Sequence, residues 1–307
     1  MTQHGQILRA ALWMLASLSC FCAMAVAGRQ LAGVMSTFEL LFIRSVIGCL
    51  VISVLLCYFG WDQVRPRTMQ FHLLRNVAHF GGQYAWFYAV GVLPLAEVFA
   101  IEFTTPIWTA LIAAVFLREA ITKPRVAAFS MGFIGTLIIL RPGVAIVQPA
   151  ALAMLAGAVG FAVSVTTTKY LTRSQSTLAV LFYMTVFQMP MSLVPALNQW
   201  VWPDAPSLPW LAVVGVAALG AHFSLTRALS LADTTVIIPF DFLRLPLIAV
   251  LGLILYGEVL DPWVFAGAAD FCRQLRQRAR RAGLCQGRNR HSNVPLNIVA
   301  PTGSWLP

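Results

Sequence analysis

Long runs of apolar residues alternate with short polar segments along most of the chain. About 20 apolar residues in a helix, at 1.5 Å rise per residue, match the roughly 30 Å hydrocarbon core of a bilayer. The pattern predicts membrane-spanning helices at residues 8–27, 38–59, 73–93, 95–117, 125–140, 150–168, 177–197, 209–231 and 235–256. A tenth apolar segment begins at Pro262 but ends after Ala269, so it is too short to span. The sequence therefore predicts an all-α polytopic membrane protein.

The composition agrees with this class, because 59% of the residues are hydrophobic and 10% are charged, against about 25% charged in an average globular protein. The first apolar run could be a cleaved signal peptide, but residues 1–9 are barely basic and a second span follows at once, so we interpret it as the first span. Four cysteines lie inside spans without metal-site spacing and are predicted to pack between helices: Cys20, Cys22, Cys49 and Cys57.

The net charge of +10 is unevenly distributed, since residues 270–307 alone contribute +6. The remaining positive charges favour one side of the membrane, which predicts an inner-membrane protein with a cytoplasmic N-terminus and no nucleic-acid partner. The predicted inner side carries Arg9, Arg65, Arg67, Arg75, Arg118, Lys123, Arg125, Lys169, Arg173 and Arg227, and the outer side carries Arg29 and Arg141.

The two halves of the chain are similar at an offset of 139 residues. This offset aligns Gly81 with Gly220, Ala89 with Ala228, Glu102 with Asp241, Phe103 with Phe242, Ala110 with Ala249 and Glu119 with Glu258. A repeat of five helices is odd, so its second copy inserts upside down, and such pairs build a substrate site near the midplane. We therefore predict repeats at residues 8–141 and 150–269, followed by a basic tail at 270–307.

Several motifs resemble those of the drug/metabolite transporter superfamily, in particular its ten-helix members built from two EamA domains. The similar segments are residues 94–106 (PLAEVFAIEFTTP), 117–119 (LRE), 132–135 (GFIG), 141–143 (RPG), 228–232 (ALSLA), Pro239 and 256–258 (YGE). The resemblance covers residues 8–269 and implies a ten-helix bundle of two inverted five-helix repeats. Members export amino acids and other metabolites, or take up riboflavin, S-adenosylmethionine and sugars.

These observations predict a secondary transporter of a small metabolite, such as an amino acid, a vitamin or a related amphipathic compound, that works by alternating access. Protons are a candidate coupling ion, the lipid bilayer is the surrounding partner, and both a monomer and a homodimer fit. The sequence lacks a Walker motif, a glycine-rich nucleotide loop and His-Glu-x-x-His, so we expect no enzyme activity, cofactor or metal. The alternatives are a lipid flippase and, with less support, an intramembrane enzyme.

Polar residues in the third and eighth spans are candidates for the cavity wall. His79, Gln83 and Trp86 share one helix face by their spacing. Under the repeat offset Gln83 falls on His222, which shares a face with Thr226. The alternative is that these residues form hydrogen bonds that only hold the bundle together.

Charges within the spans are costly, so each requires a partner, a water-filled cavity or a route to the interface. Glu102 has no opposite charge in its own helix and is the leading candidate to bind a cationic or hydrogen-bonding group, or a coupling proton. Its repeat mate Asp241 and Arg244 are i, i+3 neighbours, which are predicted either to bind substrate or to neutralise each other. Arg44 is interpreted either as an interfacial anchor or as an anion-binding group.

The remaining candidates have mainly structural alternatives. Trp108 and Phe240 lie beside these charges and either stack on substrate or pack in the bundle. Glu119 and Glu258 end their helices and are predicted to be structural. Four prolines interrupt spans and permit bending: Pro106, Pro190, Pro239 and Pro246.

The abrupt change after Ala269 suggests that the tenth helix is truncated or frameshifted. One allowed set of codons for residues 270–275 (DFCRQL), read one base later, encodes Ile-Phe-Ala-Gly-Asn-Tyr, which is similar to the closing helix of the family. We therefore expect a frameshift near codon 270 that impairs this copy, with a native basic tail as the alternative.

Overall fold

The computed structural model describes residues 3–65, 68–116, 148–171, 174–231 and 243–259, which fold into helices joined by short connections. The helices are α1 (Gln3–Leu31), α2 (Thr37–Phe59), α3 (Met69–Val92), α4 (Leu95–Glu102), α5 (Thr105–Phe116), α6 (Pro149–Leu171), α7 (Thr177–Ala196), α8 (Leu208–Leu231) and α9 (Arg244–Tyr256). Within these residues there is no β-strand, so the predicted all-α fold is confirmed there.

Five of the described helical segments are long and apolar enough to cross a membrane. They are Leu8–Leu31, Thr37–Phe59, Pro149–Thr168, Thr177–Gln199 and Ala205–Leu225, which correspond to the first, second, sixth, seventh and eighth predicted spans. The predicted fifth span, the start of the ninth, Glu119 and the segment after Ala269 lie outside the described residues. The chain is therefore a multi-pass membrane protein.

The third predicted span is a helix of 24 residues, α3, about 36 Å long at 1.5 Å per residue. It is less apolar than its neighbours because it buries His72, Arg75, Asn76, His79 and Gln83. Buried polar groups at membrane depth require partners. Those of α3 find them mainly on other helices, and His72 finds Gln175 in the connection before α7. The helix therefore forms a polar face inside the bundle.

The fourth predicted span is not one continuous helix. It divides into α4 and α5, with Phe103 and Thr104 between them. The physical reason is Pro106, which has no N–H to donate to the carbonyl of residue 102. The break makes Glu102 the last residue of α4, so this acidic residue lies at a helix end within the span.

Helices from the two halves of the sequence pack against one another. α1 packs against α8, α2 against α7, α3 against α6, and α4 against α9. The α3–α6 contact is close because Gly82 faces Gly157, and a Cβ on Gly160 would lie 2.7 Å from the carbonyl oxygen of Ala78. Small residues allow such an approach between membrane helices.

The boundaries of α3 and α8 also match the repeat predicted from sequence. Met69 and Leu208 begin these helices, Val92 and Leu231 end them, and both pairs are 139 residues apart. The two-domain division remains a prediction.

An ion pair at one end of the bundle joins α1 to the segment after α9. Arg29 Nη2 lies 3.1 Å from Glu258 Oε1, and Arg29 also donates to the carbonyl oxygens of Val90 and Leu93. The other oxygen of Glu258 accepts from the backbone N–H of Leu95 at 2.9 Å. These contacts tie α1, the α3–α4 connection and α9 together, and they agree with the structural role predicted for Glu258.

Candidate functional site

An ion pair between the two halves of the chain lies at the break between α4 and α5. Arg244 Nη2 donates to Glu102 Oε1 at 3.1 Å, and Trp86 Nε1 donates to Glu102 Oε2 at 2.7 Å. The two charged side chains are 5% and 16% exposed for Arg244 and Glu102. The carboxylate of Glu102 therefore joins the end of α4 to Arg244 at the start of α9 and to Trp86 on α3.

Aromatic rings surround the Arg244 guanidinium. Its central carbon lies 4.7 Å from the ring centroid of Phe21, 5.0 Å from that of Phe99 and 5.2 Å from that of Phe103. Each distance is within the range of a cation–π interaction. The positive charge of Arg244 is therefore balanced by a carboxylate and stabilised by ring faces.

A second buried arginine has a different environment. Arg44 on α2 is 5% exposed, and its Nη1 donates to Gln83 Oε1 on α3 at 2.9 Å. Its Nε is buried and has no acceptor among the residues that the structure describes. The guanidinium is thus enclosed between helices with a neutral amide as its hydrogen-bond partner.

Two histidines lie beside these arginines. His79 Nδ1 is 3.0 Å from Gln188 Nε2 on α7, and the His79 ring centroid is 6.1 Å from that of His222 on α8. Phe161 packs edge-on against His79, and Phe21 packs edge-on against His222. Because Phe21 also contacts Arg244, the histidine pair and the ion pair belong to one continuous cluster.

A small recess opens beside Arg44, between α2, α7 and α8. Its volume is about 10 Å³, enough for about one water molecule. Its walls are formed by Arg44, Ser45, Gly48, Met184, Thr185, Gln188, Gly215, Ala218 and Leu219. The polar groups of the wall are Arg44, Ser45, Thr185 and Gln188, so the recess combines one positive charge with neutral hydrogen-bonding side chains.

Comparison with known proteins assigns the family. Residues 8–141 match the model of the EamA-like transporter family. The chain is 31% identical over 266 residues to the riboflavin transporter of Brucella anthropi. The alignment covers 83% of this chain and 93% of that protein. The chain belongs to the EamA-like transporter family.

Two further similarities extend over most of the molecule. The S-adenosylmethionine uptake transporter of Rickettsia bellii is 27% identical over 256 residues, covering 83% of this chain and 88% of that protein. A solved crystal structure aligns with a TM-score of 0.63 at 20% identity, over 88% of this chain and 98% of its own, and shows the fold alone. The riboflavin and S-adenosylmethionine transporters, which are part of the drug/metabolite transporter superfamily, support a small-metabolite transporter.

The structure of this EamA-like transporter brings most of the predicted candidates together. His79, Gln83 and Trp86 are buried on α3 as their spacing predicts, but each bonds to a different helix: α7, α2 and α4, respectively. Their convergence with Arg44, His222 and Arg244 defines what we call the central cluster: Arg44, His79, Gln83, Trp86, Glu102, Gln188, His222 and Arg244.

One prediction about charged partners stays open and one requires correction. The prediction that Arg244 and Asp241 neutralise each other is not tested, because Asp241 lies outside the described residues. Arg244 also lies 3.1 Å from Glu102, a partner on another helix that i, i+3 spacing cannot identify. The proposal that Arg44 reaches the interface is wrong, because its side chain is buried and bonds to Gln83. The anion-binding alternative for Arg44 is unaffected.

Some candidates are not placed in the cluster. Phe240, Asp241 and Pro239 lie outside the described residues, and the structure does not describe the side chain of Thr226. Trp108 lies on α5, beyond the helix break, and its buried Nε1 has no acceptor in the described part of the chain. The roles of these residues remain predictions.

Sequence reasoning missed Gln188 and the depth of Arg75. Gln188 is a polar residue near the middle of an apolar span, a signal that could have been used. The charge pattern places Arg75 at the inner surface, near the start of the third span predicted at residue 73. In the structure α3 begins at Met69, so Arg75 lies further inside the helix. It is 4% exposed and donates to Asn76 Oδ1 at 2.8 Å and to Thr168 Oγ1 at 3.3 Å.

The cluster has no arrangement typical of a metal centre. Among the residues that the structure describes, no group of three or more His, Cys, Asp or Glu side chains is placed to hold a metal ion. The cluster instead offers hydrogen-bond donors, two guanidinium groups and aromatic faces, which suit the recognition of an organic molecule.

Proposed function

We propose that this chain is a secondary transporter that carries a small amphipathic metabolite, such as an amino acid, a vitamin or a related compound, by alternating access. The central cluster is the observation that carries the proposal. It contains polar groups from α2, α3, α4, α7, α8 and α9, which belong to both halves of the chain. Ionisable residues inside membrane spans are costly and mark substrate or ion pathways.

The helix pairing supports an inverted-repeat mechanism. If α1 corresponds to α6 and α3 to α8, a twofold axis in the membrane plane exchanges the α1–α8 pair with the α3–α6 pair. The α2–α7 and α4–α9 pairs then map onto themselves. Rocking of one repeat against the other around a fixed central site follows from such symmetry.

We propose that the Glu102–Arg244 pair couples substrate binding to movement of the helices. It joins α4 to α9, and Trp86 joins both to α3. In our proposal, a substrate or a proton that takes one member of this pair releases α9 from α4. The break at Phe103 and Thr104 lets α4 move without α5.

The aromatic rings of the cluster favour a substrate with a flat portion. Phe161 and Phe21 flank His79 and His222, and stacking on such rings is a common source of affinity. The relatives named for riboflavin and S-adenosylmethionine transport carry compounds with flat heterocycles. We propose a substrate of this general shape.

The proposal is tested by transport into membrane vesicles containing the full chain. The panel contains riboflavin, S-adenosylmethionine and amino acids, each radiolabelled. We expect saturable accumulation of at least one compound and loss of that accumulation in Glu102→Gln. Glu97→Gln is the matched control, because Glu97 lies on the same helix and the central cluster does not include it.

Folding of each variant is checked by the amount of protein in the vesicle membrane and by its thermal midpoint in detergent. Wild-type accumulation in Glu102→Gln would remove the proposed role of the ion pair. Absence of accumulation for every compound, with a folded wild-type chain, would count against transport by this copy.

A further inference from the structure

The buried arginines of the described chain divide into two kinds. Arg244 faces the Glu102 carboxylate. Arg44 and Arg75 bond only to neutral groups among the described residues: Gln83 for Arg44, and Asn76 and Thr168 for Arg75. A guanidinium remains charged in proteins, so two positive charges lie between α2, α3 and α7 with no carboxylate of the described chain bonded to either.

The charges of Arg44 and Arg75 are close enough to repel each other, and both interact electrostatically with His79 and His222. A buried charge without an opposite charge is unfavourable, and the cost grows where water is excluded. The two arginines therefore favour binding of an anion.

The orientation of Arg44 determines what kind of anion fits. Gln83 occupies Nη1, and the buried Nε has no acceptor among described residues. The Nε edge of a guanidinium binds a planar carboxylate by donating two parallel hydrogen bonds to it. The hydroxyls of Ser45 and Thr185, which line the same recess, donate to carbonyls of their own helices at 2.7 and 2.9 Å, and can turn toward an anion.

We propose that the recess beside Arg44 binds a carboxylate group of the transported metabolite, with Arg44 as its direct contact and Arg75 as a supporting charge. This inference rests on the proposed transport function and specifies its substrate class as organic anions or zwitterions. The carboxylate occupies the recess at Arg44, which widens as the helices move during transport. The rest of the molecule extends past Gln188, which lines the recess and bonds to His79. Arg244 is already neutralised and does not take this role.

The first test measures binding directly, without transport. Full-length protein purified in detergent is titrated with phenylacetate or phenylacetamide, and with N-acetylmethionine or its primary amide, while the thermal midpoint is recorded. Each pair differs by one carboxylate. We expect the acids to raise the midpoint and the amides to leave it unchanged.

Variants assign the effect to Arg44. Arg44→Gln should weaken binding of the acids by about 10- to 100-fold, the size expected for loss of a charged hydrogen-bonding partner, and Arg44→Lys should retain part of the affinity. Arg65→Gln is the control, because it removes an equal charge from an exposed position. Equal stabilisation by acid and amide, no stabilisation by any acid, or wild-type binding in Arg44→Gln would overturn the proposal.

The second test needs no ligand. Arg44→Gln removes an uncompensated charge, so the ligand-free protein should keep or raise its thermal midpoint. Arg244→Gln leaves Glu102 without its ion pair and should lower the midpoint. If Arg44→Gln lowers the midpoint as much as Arg244→Gln, Arg44 is structural and the carboxylate site is wrong.

The two proposals fail in different ways. Binding of acids that depends on Arg44, without accumulation in vesicles, would reject transport by this copy and keep the carboxylate site. Accumulation that is unchanged in Arg44→Gln, or of a compound without an anionic group, would keep transport and reject the carboxylate site.

Discussion

Arg44 and Arg244 are equally buried, but they have different surroundings. Arg244 lies against a carboxylate and three aromatic rings, whereas Arg44 has one hydrogen bond to an amide and borders a recess. A compensated buried charge holds helices together, and an uncompensated one is a cost that a ligand can offset. The comparison therefore separates a charge that stabilises the bundle from a charge suited to binding.

The largest expected effect is on stability, when Arg244, the arginine paired with a carboxylate, is replaced. Arg244→Gln leaves Glu102 as a largely buried carboxylate without its ion pair, and we expect a loss of about 3–5 kcal/mol of stability. The measurement is the thermal or denaturant midpoint of the purified protein. The double variant Glu102→Gln/Arg244→Gln should recover part of the loss, since it removes both charges. A double variant less stable than Arg244→Gln would show that charge pairing is not the cause.

The next largest effect is expected when Arg44 is given a carboxylate partner. Gln83→Glu places a carboxylate within 2.9 Å of Nη1, judged from the present amide oxygen. We expect the empty protein to gain stability and the affinity for carboxylates to fall by about 1.5–3 kcal/mol, the range for hydrogen bonds to charged groups. Titration with phenylacetate measures both quantities. Gln83→Met is the control without charge, and an unchanged affinity in Gln83→Glu would contradict the anion site.

A smaller effect is expected for the indole that supports Glu102. Trp86→Phe keeps most of the ring but removes the N–H that lies 2.7 Å from Glu102 Oε2. We expect a loss of about 1.5 kcal/mol, the lower end for a hydrogen bond to a charged group. Thermal midpoints in the wild-type and Glu102→Gln backgrounds give the coupling between the two residues. Equal losses in both backgrounds would show that packing, and not this hydrogen bond, is responsible.

The smallest effect is expected for the aromatic surroundings of Arg244. Phe21→Leu removes the ring nearest to the guanidinium, and we expect a cost of about 0.5–1 kcal/mol beyond that of the lost volume. Comparison with Phe161→Leu controls for loss of a ring that packs on His79. If both changes cost the same in the Arg244→Gln background as in the wild type, the cation–π contribution is negligible.

Several parts of the site follow from local sequence pattern. The spacing of His79, Gln83 and Trp86 predicts one helix face, and α3 buries all three residues. Pro106 predicts an interruption of the fourth span, which the structure shows as the break between α4 and α5. These features depend on helix geometry and on the missing N–H of proline, both of which act over a few residues.

Other parts depend on residues that are far apart in sequence. Spacing suggests Asp241 as a neighbour of Arg244, and the tertiary fold brings Glu102 to Arg244 as well, from 142 residues away. Gln188 and Arg75 enter the site because α7 and α3 pack with these residues inward. An i, i+3 rule cannot identify such partners, since it describes only one helix at a time.

The sequence by itself determined that this protein is a polytopic helical membrane protein, because the length and apolarity of its segments leave few other ways to satisfy the backbone in lipid. It also determined which side chains are costly at membrane depth. Only the tertiary structure decided which of these charges are compensated. That outcome depends on distances between side chains of different helices, and those distances exist only after the helices have packed.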